Sequence, residues 1–466
     1  MKKPSKNTAQ PNENDSPTLF KKVLIANRGE IALRVIRACK ELGISTVAVY
    51  STADESSLHV KLADEAVCIG PPQAKLSYLN MAAILSAAEV THADAIHPGY
   101  GFLSENADFA RLCQECHVHF IGPTPENIHS MGEKTRARKI AKEAGLPLLP
   151  GTIDPVPNLG NALLEADRIG YPVILKAAAG GGGKGIKVVW KRSELEDVFD
   201  RMRLEAEASF GDGSLYIEKY CQRPRHVEIQ VACDKYGNKV SLGERDCSIQ
   251  RRHQKLIEEC PSNAVNPVLR KRMSDSALAL CHAVDYENVG TVEFLLDTDG
   301  SYYFMEMNTR IQVEHPVTEM VTGVDLLKEQ IRLAAGFPIS FRQEDVRFQG
   351  HAIECRINAE DPVTFRPSPG LITGFHLPGG FGVRNDTFIY DRYKVVPNYD
   401  SMIGKLIVHA PTRVEAIAKM RRALDETLID GIATNVALHR RVFATERFLT
   451  GDFDTHFLEE ISLKDD

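Results

Sequence analysis

The sequence predicts an α/β protein built from several domains. Its 466 residues are too many for one ordinary hydrophobic core, so two or three domains are expected. Near the start, a strand, a helix and a second strand alternate, which is typical of a parallel sheet. Further along, a glycine-rich segment lies between two strand-like runs, and the remainder is rich in strands and ends in helices. We therefore expect a parallel α/β part, a small strand-rich block and a larger α+β part.

The composition is that of a globular protein of the cytoplasm. Hydrophobic residues make up 43% and charged residues 26% of the chain, as in average globular proteins. The net charge of −7 argues against general nucleic-acid binding, which needs clustered cations. The apolar run at 81–88 is far shorter than the ~20 residues that span a bilayer. The polar start lacks the apolar core of a secretory signal, and the cysteines, mostly in apolar patterns, suit a reducing compartment.

The first block of the chain, about residues 21–132, alternates strands and helices. Residues 22–26 (KVLIA) have the pattern of a buried strand. Asn27 and Glu30 then form a capping-box pattern at the start of an amphipathic helix, and Gly43 ends that helix. Three further runs have a strand pattern: 45–50, 93–102 and 118–122. Together they predict a right-handed βαβ start to a parallel sheet.

A glycine-rich loop, KAAAGGGGKGIKVV at 176–189, is the first candidate functional segment. It does not match a P-loop, because Lys184 is followed by Gly185 rather than by Ser or Thr. A dinucleotide fingerprint would open a helix, whereas a strand-like run follows here. The pattern predicts a hairpin whose tip can fold over phosphates, with Lys176 on the incoming strand to neutralise their charge. A surface hairpin without a ligand is the alternative.

A pair of carboxylates in the segment 290–316 is the second candidate. Residues 297–300 (DTDG) predict a turn between two strands. A two-residue loop would place Glu293 opposite Phe304 and make Glu306 its diagonal neighbour on the same face. Two adjacent carboxylates repel each other unless a cation lies between them, and hard oxygen ligands suit Mg²⁺.

Polar residues continue along the second strand at every other position. With a period of two they would face one way, over ~26 Å if the chain is extended at ~3.3 Å per residue. Their order provides metal ligands, then an anion clamp, then a candidate general base. The residues are Glu306, Asn308, Arg310, Gln312 and Glu314. A solvated strand face is the alternative interpretation.

Three other segments are dense in polar or charged residues. Residues 225–231 (RHVEIQV) and 350–362 alternate polar and apolar positions, as half-buried strands do. In the second of these, Arg356 follows the alternation that starts at Glu354. Residues 243–255 (GERDCSIQRRHQK) by themselves are typical of a solvated loop.

The combination of these segments resembles biotin carboxylase, a family of ATP-grasp enzymes, over about residues 21–463. The resemblance rests on these motifs, in the family's order: IANRGEIALRVIRACKELG, HPGYGFLSEN, KAAAGGGGKGIKVV, RHVEIQV, ERDCSIQRRHQK, EMNTRIQVEHPVTEM and GHAIECRINAEDP. It implies a Rossmann-like pre-ATP-grasp domain, an ATP-grasp part with a small mobile lid, and a C-terminal α+β domain. The implied division is a disordered tail (1–20), the Rossmann-like domain (21–132), a linker helix (133–149), the lid (150–221), the catalytic ATP-grasp domain (222–349) and the C-terminal domain (350–463).

The resemblance implies ATP- and bicarbonate-dependent carboxylation of biotin by way of carboxyphosphate. No biotinylation sequence occurs in the chain, so biotin would arrive on a separate carrier protein, with carboxyltransferase subunits completing the enzyme. The family also implies Mg²⁺ or Mn²⁺, a homodimer, and acetyl-CoA carboxylase of fatty acid biosynthesis as the complex. Pyruvate and propionyl-CoA carboxylases are alternatives for the final acceptor. Another ATP-grasp ligase and a non-catalytic nucleotide-binding subunit are alternatives for the activity.

The resemblance also implies roles for residues at matching positions. For ATP it implies Lys134, Lys176, Gly182, Gly183, Glu218, Lys219, Tyr220, Cys221, His226, His253, Glu293 and Glu306. For the metal it implies Glu293, Glu306 and Asn308. For bicarbonate and biotin it implies Lys255, Arg310, Gln312, Val313, Arg356, Tyr100 and Asp400. Lys255, Arg310, Glu314 and Arg356 would be catalytic, with Glu314 as the base that deprotonates bicarbonate and Arg356 as the cation that stabilises the biotin enolate.

Overall fold

The computed structural model describes residues 17–152, 154–178, 185–252 and 254–461. It confirms the predicted fold class: a parallel α/β part, a small antiparallel sheet with helices, and a large mixed part. Gly182, Gly183 and His253, which the resemblance assigns to the nucleotide site, lie outside the described residues. Within the segment 1–20 that was predicted to be a disordered tail, Phe20 is buried and its ring contacts that of His119.

The N-terminal part is a parallel sheet covered by helices. Its elements are β1 (Lys22–Ile25), α1 (Gly29–Glu41), β2 (Ser45–Ser51), α2 (Leu58–Leu62), β3 (Glu65–Gly70), α3 (Met81–Val90), β4 (Ala95–His97), α4 (Ala107–Glu115), β5 (His119–Phe120) and α5 (Pro125–Gly132). The strands pair in parallel in the order β3-β2-β1-β4-β5. The strand predicted at 93–102 already ends at His97, because Pro98 and two positive-φ residues, Gly99 and Gly101, follow it.

The start of α1 differs from the predicted capping box. Arg28, not Asn27, is the N-cap residue, and no side-chain hydrogen bond caps the helix. The Asn27 amide instead donates to the carbonyls of Pro98 (2.7 Å) and Tyr100 (2.8 Å). Glu30 accepts a hydrogen bond from the Tyr100 hydroxyl. The capping-box prediction is wrong because both side chains bind a loop that is distant in sequence.

A small antiparallel sheet contains the strands on either side of the glycine-rich segment, of which residues 179–184 lie outside the described residues. Its elements, after the linker helix α6 (Lys134–Glu143), are α7 (Leu159–Ile169), β6 (Val173–Ala177), β7 (Ile186–Val189), α8 (Arg192–Phe210) and β8 (Leu215–Lys219). The central strand β6 pairs with β7 on one side and with β8 on the other. The predicted strand–loop–strand arrangement is therefore confirmed, and Lys176 lies on β6 as expected.

The large sheet runs through the rest of the molecule. Its first elements are β9 (Arg225–Cys233), β10 (Lys239–Arg251), β11 (Gln254–Cys260), α9 (Pro267–Ala283), β12 (Asn288–Leu296), β13 (Tyr302–Asn308), α10 (His315–Thr322) and α11 (Leu326–Ala334). The C-terminal elements are β14 (His351–Asn358), β15 (Gly370–Leu371), β16 (Gly374–His376), β17 (Val383–Thr387), β18 (Lys394–Val395), β19 (Met402–Ala410), α12 (Arg413–Glu426), β20 (Leu428–Asp430), α13 (Val436–Ala444), α14 (Glu446–Thr450) and α15 (Phe457–Glu460). The strand order is β13-β12-β9-β10-β11-β14-β19-β17. The sheet thus continues across the boundary predicted at 349/350, because β11 pairs with β14.

The segment 243–255 is not a solvated loop, so that interpretation is wrong. It forms most of β10 and the start of β11, near the middle of the large sheet. Arg245 is completely buried there and donates to Glu228 (2.5 Å), Gln230 (2.7 Å) and Thr291 (3.1 Å). The local pattern misled because each charge has its partner on a neighbouring strand, which no short sequence window contains.

Replacing Glu259 with glutamine is expected to lower stability at neutral pH. Burial alone would raise the pKa of Glu259, but hydrogen bonds from His351 (2.8 Å) and Arg413 (2.7 and 2.8 Å) lower it from 4.5 to about 2. A carboxyl whose pKa falls on folding stabilises the native state above its unfolded pKa and loses that contribution as the pH drops toward the folded value. The shift corresponds to roughly 3 kcal/mol.

The check is the thermal midpoint of E259Q against the parent protein at several pH values. We expect the variant to melt at a lower temperature at neutral pH, with a gap that narrows as the pH falls from about 5 toward about 2. A gap that stays constant over this range would contradict the assignment.

Candidate active site

Two antiparallel strands bring a pair of carboxylates together in the large sheet. Glu293 of β12 lies directly opposite Glu306 of β13. The predicted register, with Glu293 opposite Phe304, is wrong by two residues. The turn is one residue longer than expected, since the amide of Asp297 donates to the carbonyl of Ser301, and a bulge beside Glu293 adds a second shift. The two carboxylates are therefore closer neighbours than the sequence indicates.

The surroundings of this pair fit a divalent cation. Burial and the nearby charge of Glu293 raise the pKa of Glu306, and Glu306 accepts no hydrogen bond from a described residue. Glu293 has its Oε1 atom surrounded by donors: Lys255 Nζ (2.9 Å), Asn308 Nδ2 (2.8 Å) and Gln312 Nε2 (2.9 Å). Two like charges and an amide oxygen form a hard donor set of the kind that Mg²⁺ prefers.

A nitrogen ligand lies beside the same pair. His226 Nε2 lies 2.9 Å from Glu293 Oε2, and potential ligand atoms of His226, Glu228 and Glu293 all fall within 4.8 Å of one another. Glu228 was not among the predicted site residues. Its position in the alternating segment RHVEIQV, on the same face as His226, was the signal that could have identified it.

Lys255 is the central cation of the site. Its Nζ atom lies 2.6 Å from Glu228, 2.9 Å from Glu293 and 2.6 Å from Glu314. Burial alone would lower the pKa of Lys255, but these carboxylates raise it well above its ordinary value. The ammonium group therefore stays charged and joins Glu293 to Glu228 and Glu314.

The row of polar residues does not form one extended strand, so that prediction is wrong. β13 ends at Asn308, and the chain turns back before α10. The side-chain amide of Gln312 consequently lies near β12 and donates to Glu293 Oε1. Arg310 donates to Asn308 Oδ1 (2.9 Å) and to Glu105 Oε2 (2.9 Å). The turn gathers these side chains around one point instead of spreading them along a strand. Glu105 is a partner that the sequence did not indicate.

Glu314 and Arg356 meet on the other side of Lys255. Arg356 Nη2 donates to Glu314 (2.9 Å), and Arg356 Nε donates to Glu258 (2.6 Å). Glu314 is completely buried, and burial alone would raise its pKa. The cations of Lys255, Arg356 and Arg245 instead hold that pKa well below its ordinary value. Glu314 is therefore ionised and able to accept a proton.

The predicted phosphate-binding lysines lie on the adjoining elements. Lys176 of β6 and Arg138 of α6 both form ion pairs with the buried Glu218. The charge of Lys134, which is exposed at the start of α6, partly offsets the rise in the pKa of Glu306. Arg138 was missed, since nothing in the helix sequence distinguishes it from the other basic residues around it.

The remaining predicted nucleotide residues follow β8. Lys219 donates from its ammonium group to the carbonyls of Gly170 (2.9 Å) and Tyr171 (3.2 Å). The ring of Tyr220 contacts that of Trp190, with the ring centroids 5.9 Å apart. Burial raises the pKa of the Cys221 thiol to about 12, so this thiol is not reactive.

Three predicted bicarbonate or biotin residues differ in their contacts. The carbonyl of Val313 accepts a hydrogen bond from Lys405 (2.7 Å). Tyr100 donates to Glu30, a partner of the same lysine. Asp400 is exposed and accepts from the amide of Met402 (2.9 Å). No hydrogen bond joins Asp400 to a described residue of the cluster.

Three family models match consecutive parts of the chain. "Biotin carboxylase, N-terminal domain" matches residues 19–128, "Carbamoyl-phosphate synthase L chain, ATP binding domain" matches 133–342, and "Biotin carboxylase C-terminal domain" matches 354–460. Two protein relatives match at high identity. The chain is 56% identical to biotin carboxylase of Haemophilus influenzae and 57% identical to biotin carboxylase 1 of Bacillus subtilis. Each match covers 95% of this chain, with 99% and 98% of the respective relative.

Solved structures match over the same length. Biotin carboxylase of Campylobacter jejuni, crystallised as a beta-gamma-ATP complex, has a TM-score of 0.89 at 48% identity, over 95% of this chain and 99% of that one. The biotin carboxylase domain of a thermophilic 2-oxoglutarate carboxylase, bound to bicarbonate, has a TM-score of 0.92 at 48% identity, over 95% and 98%. The biotin carboxylase subunit of a pyruvate carboxylase has a TM-score of 0.85 at 50% identity, over 95% and 98%.

The matches and the site agree on an ATP-dependent ligase that carboxylates biotin. Solved relatives hold MgADP and bicarbonate, or bicarbonate alone. Among the helices that the structure describes, none has both the length and the apolar character needed to cross a membrane. The identity, the coverage and the fold together show that this chain belongs to the biotin carboxylase family.

Proposed function

We propose that this chain is the biotin carboxylase subunit of an acetyl-CoA carboxylase and carboxylates biotin on a separate carrier protein by way of carboxyphosphate. The observation that carries the proposal is the arrangement around Lys255. On one side of it lies the Glu293–Glu306 pair, and on the other lie Glu314 and Arg356. A metal-binding pair, a buried base and a fixed cation thus adjoin one another.

In the first step, the γ-phosphoryl group of ATP would pass to bicarbonate. Glu293, Glu306 and Asn308 would hold Mg²⁺ or Mn²⁺, which supplies positive charge at the phosphates when bound. Lys134 and Lys176 would add two cations from α6 and β6. Catalysis of phosphoryl transfer is mostly positioning and charge neutralisation. The rest of the nucleotide site is proposed to consist of Gly182, Gly183, Glu218, Lys219, Tyr220, Cys221, His226 and His253.

Bicarbonate would bind at the turn that follows β13. Arg310 suits it because a guanidinium grips two oxygens of a planar anion at once. Gln312, Val313 and Lys255 would complete the contacts. Glu314 would take the proton of bicarbonate, whose oxygen then attacks the γ-phosphorus as ADP leaves. The position of Glu314 between Lys255 and Arg356 supports this assignment, and the carboxylate is ionised, as a base must be before it acts.

In the second step, carboxyphosphate would split into CO₂ and phosphate. The phosphate would take the N1 proton of biotin, and N1 of the resulting enolate would attack CO₂ to form carboxybiotin. The negative charge that develops on the enolate oxygen needs a fixed cation. Arg356 supplies it, because its guanidinium is held in place on two sides. Tyr100 and Asp400 are proposed as further biotin contacts.

The proposal extends to partners and location. The full-length relatives that this chain matches are named biotin carboxylase alone, which supports a subunit that works with a carrier protein and carboxyltransferase subunits. A solved relative is described as a dimer, which supports a homodimer here. The ten cysteines carry free thiols, as suits the cytoplasm. A pyruvate carboxylase is the alternative complex, favoured by the likeness to a pyruvate carboxylase subunit.

The test is bicarbonate-dependent ATP hydrolysis by the purified protein, with and without free biotin. Stimulation by biotin is the expected result. ATP hydrolysis that requires an amine in place of bicarbonate would favour another ATP-grasp ligase, and no turnover would favour a non-catalytic nucleotide-binding subunit. The carboxylated carrier, offered acetyl-CoA, propionyl-CoA and pyruvate with the matching carboxyltransferase, then identifies the acceptor.

Replacing Glu306 with glutamine is expected to weaken metal binding. Glutamine keeps the shape but removes one of the two charges that face the cation. We expect the Mg²⁺ concentration for half-maximal ATP hydrolysis to rise on the order of tenfold, because ligand charge sets the affinity for such ions. Met305→Gln is the matched control, since Met305 is an exposed neighbour on the same strand. An unchanged Mg²⁺ titration in E306Q would rule out this ligand.

A further inference from the structure

Arg356 is held by two carboxylates, of which only Glu314 has a part in the proposed reaction. The second is Glu258, whose Oε1 atom accepts from Arg356 Nε at 2.6 Å. Arg356 Nη2 donates to Glu314, and Arg356 Nη1 donates to no described residue. The Glu258 side chain is completely buried, whereas 16% of the Arg356 side chain is exposed. Two edges of the guanidinium are thus fixed, and one nitrogen is left for a ligand.

Neighbouring strands account for the contact between Glu258 and Arg356. In the antiparallel pair of β11 and β14, Glu258 lies directly opposite Glu354. Arg356 follows two residues later on β14 and therefore projects from the same face as Glu354. Glu258 and Arg356 are diagonal neighbours, a separation that a long side chain spans easily.

Glu354 is closer to Glu258 in register but does not contact the cation. Both of its carboxylate oxygens are buried without a hydrogen-bond partner among the described residues. Burial raises the pKa of Glu354 well above its ordinary value, which favours the neutral form of this group. The same sheet face therefore offers two carboxyl groups of equal size, one bonded to Arg356 and one not.

We propose that Glu258 is a positioning residue for Arg356 in the biotin step. It holds the Nε edge of the guanidinium, so that Nη1 stays directed at the position of the developing enolate oxygen. Without this partner, Arg356 can rotate into a two-point pair with Glu314, which would occupy Nη1. This inference rests on the proposed function, and it adds to the site a residue that touches no substrate.

The test compares two isosteric variants in the full-length protein. Burial raises the pKa of Glu258 to about 7. Glu258→Gln keeps the shape and replaces the carboxyl group that accepts from Arg356 with an amide; we expect its biotin-dependent kcat to fall at least ~10-fold, with the KM for ATP within about twofold. Glu354→Gln is the matched control from the opposing strand, and we expect its kcat to stay within about twofold of the parent value. Glu258→Asp keeps the carboxyl group at shorter reach, so an intermediate kcat is expected.

The outcomes separate this inference from the proposed function. A parent protein without biotin-dependent turnover overturns the proposed function. A parent protein with such turnover and an E258Q variant that retains it, or one whose KM for ATP rises in step with the loss of kcat, overturns the positioning role. If E258Q does not fold, E258D decides the question: a kcat equal to that of the parent protein contradicts the inference.

Discussion

Replacing Arg356 with alanine is expected to lower biotin-dependent turnover by at least ~10²-fold, the usual loss when one donor to a developing oxyanion is removed. Arg356 has one nitrogen, Nη1, that donates to no described residue and is therefore available to a ligand, whereas Lys255 Nζ already contacts three carboxylates. Alanine removes the charge and leaves the enolate of biotin without its stabilising partner. The measurement is kcat with free biotin at saturating ATP and bicarbonate.

The matching replacement of Arg310 separates the two half-reactions. We expect Arg310→Ala to show a comparable loss of biotin-dependent turnover. We also expect the same loss in bicarbonate-dependent ATP hydrolysis without biotin, because Arg310 is proposed to hold bicarbonate. Arg347→Ala is the control for general effects of losing an arginine, since Arg347 is exposed and bonds within described residues only to a backbone carbonyl. If Arg356→Ala turned over biotin nearly as fast as the parent protein, Arg356 would have no part in the mechanism.

Replacing Lys255 with methionine is expected both to destabilise the protein and to abolish phosphoryl transfer from ATP to bicarbonate. Methionine keeps the length of the side chain but leaves Glu228, Glu293 and Glu314 without the ammonium group that contacts all of them. Removing one partner of a buried ion pair typically costs about 3–5 kcal/mol, because the remaining charge is buried without compensation. The measurements are the thermal midpoint and bicarbonate-dependent ATP hydrolysis.

Lys255→Arg is the control that distinguishes charge from shape. It keeps a cation among the carboxylates, so the thermal midpoint should lie between those of the parent protein and of Lys255→Met. Its turnover should remain low, because a guanidinium does not reproduce the geometry of an ammonium group. A Lys255→Met variant as stable as the parent protein would show that the buried carboxylates are neutral rather than paired.

The sequence predicted the fold where the signal was local. Apolar runs gave the strands β1 and β2, and a strand pattern on either side of the glycine loop gave the hairpin of β6 and β7. The proximity of Glu293 and Glu306 could also be predicted, because the turn between their strands fixes the register to within one or two residues. Apolar burial dictates all of these features within short windows of sequence.

The predictions that failed depend on distant partners. Asn27 resembled a helix cap, but its amide binds the loop after β4. The segment 243–255 resembled a solvated loop because the partners of Arg245 lie on other strands. The polar row after Asn308 was predicted to be extended, although a turn brings Gln312 back to Glu293. In each case a long-range hydrogen bond overrides a pattern that is locally plausible, and sites built from such bonds are not visible in one sequence.

The most direct test of the central claim follows the carbon of bicarbonate. The purified protein is incubated with labelled bicarbonate, ATP, Mg²⁺ and free biotin, and the label in carboxybiotin is measured. Label that reaches biotin only when ATP and Mg²⁺ are both present is the predicted result. ATP cleavage at a normal rate with no label in biotin, in a protein whose Glu293, Lys255 and Arg356 are intact, would contradict the account.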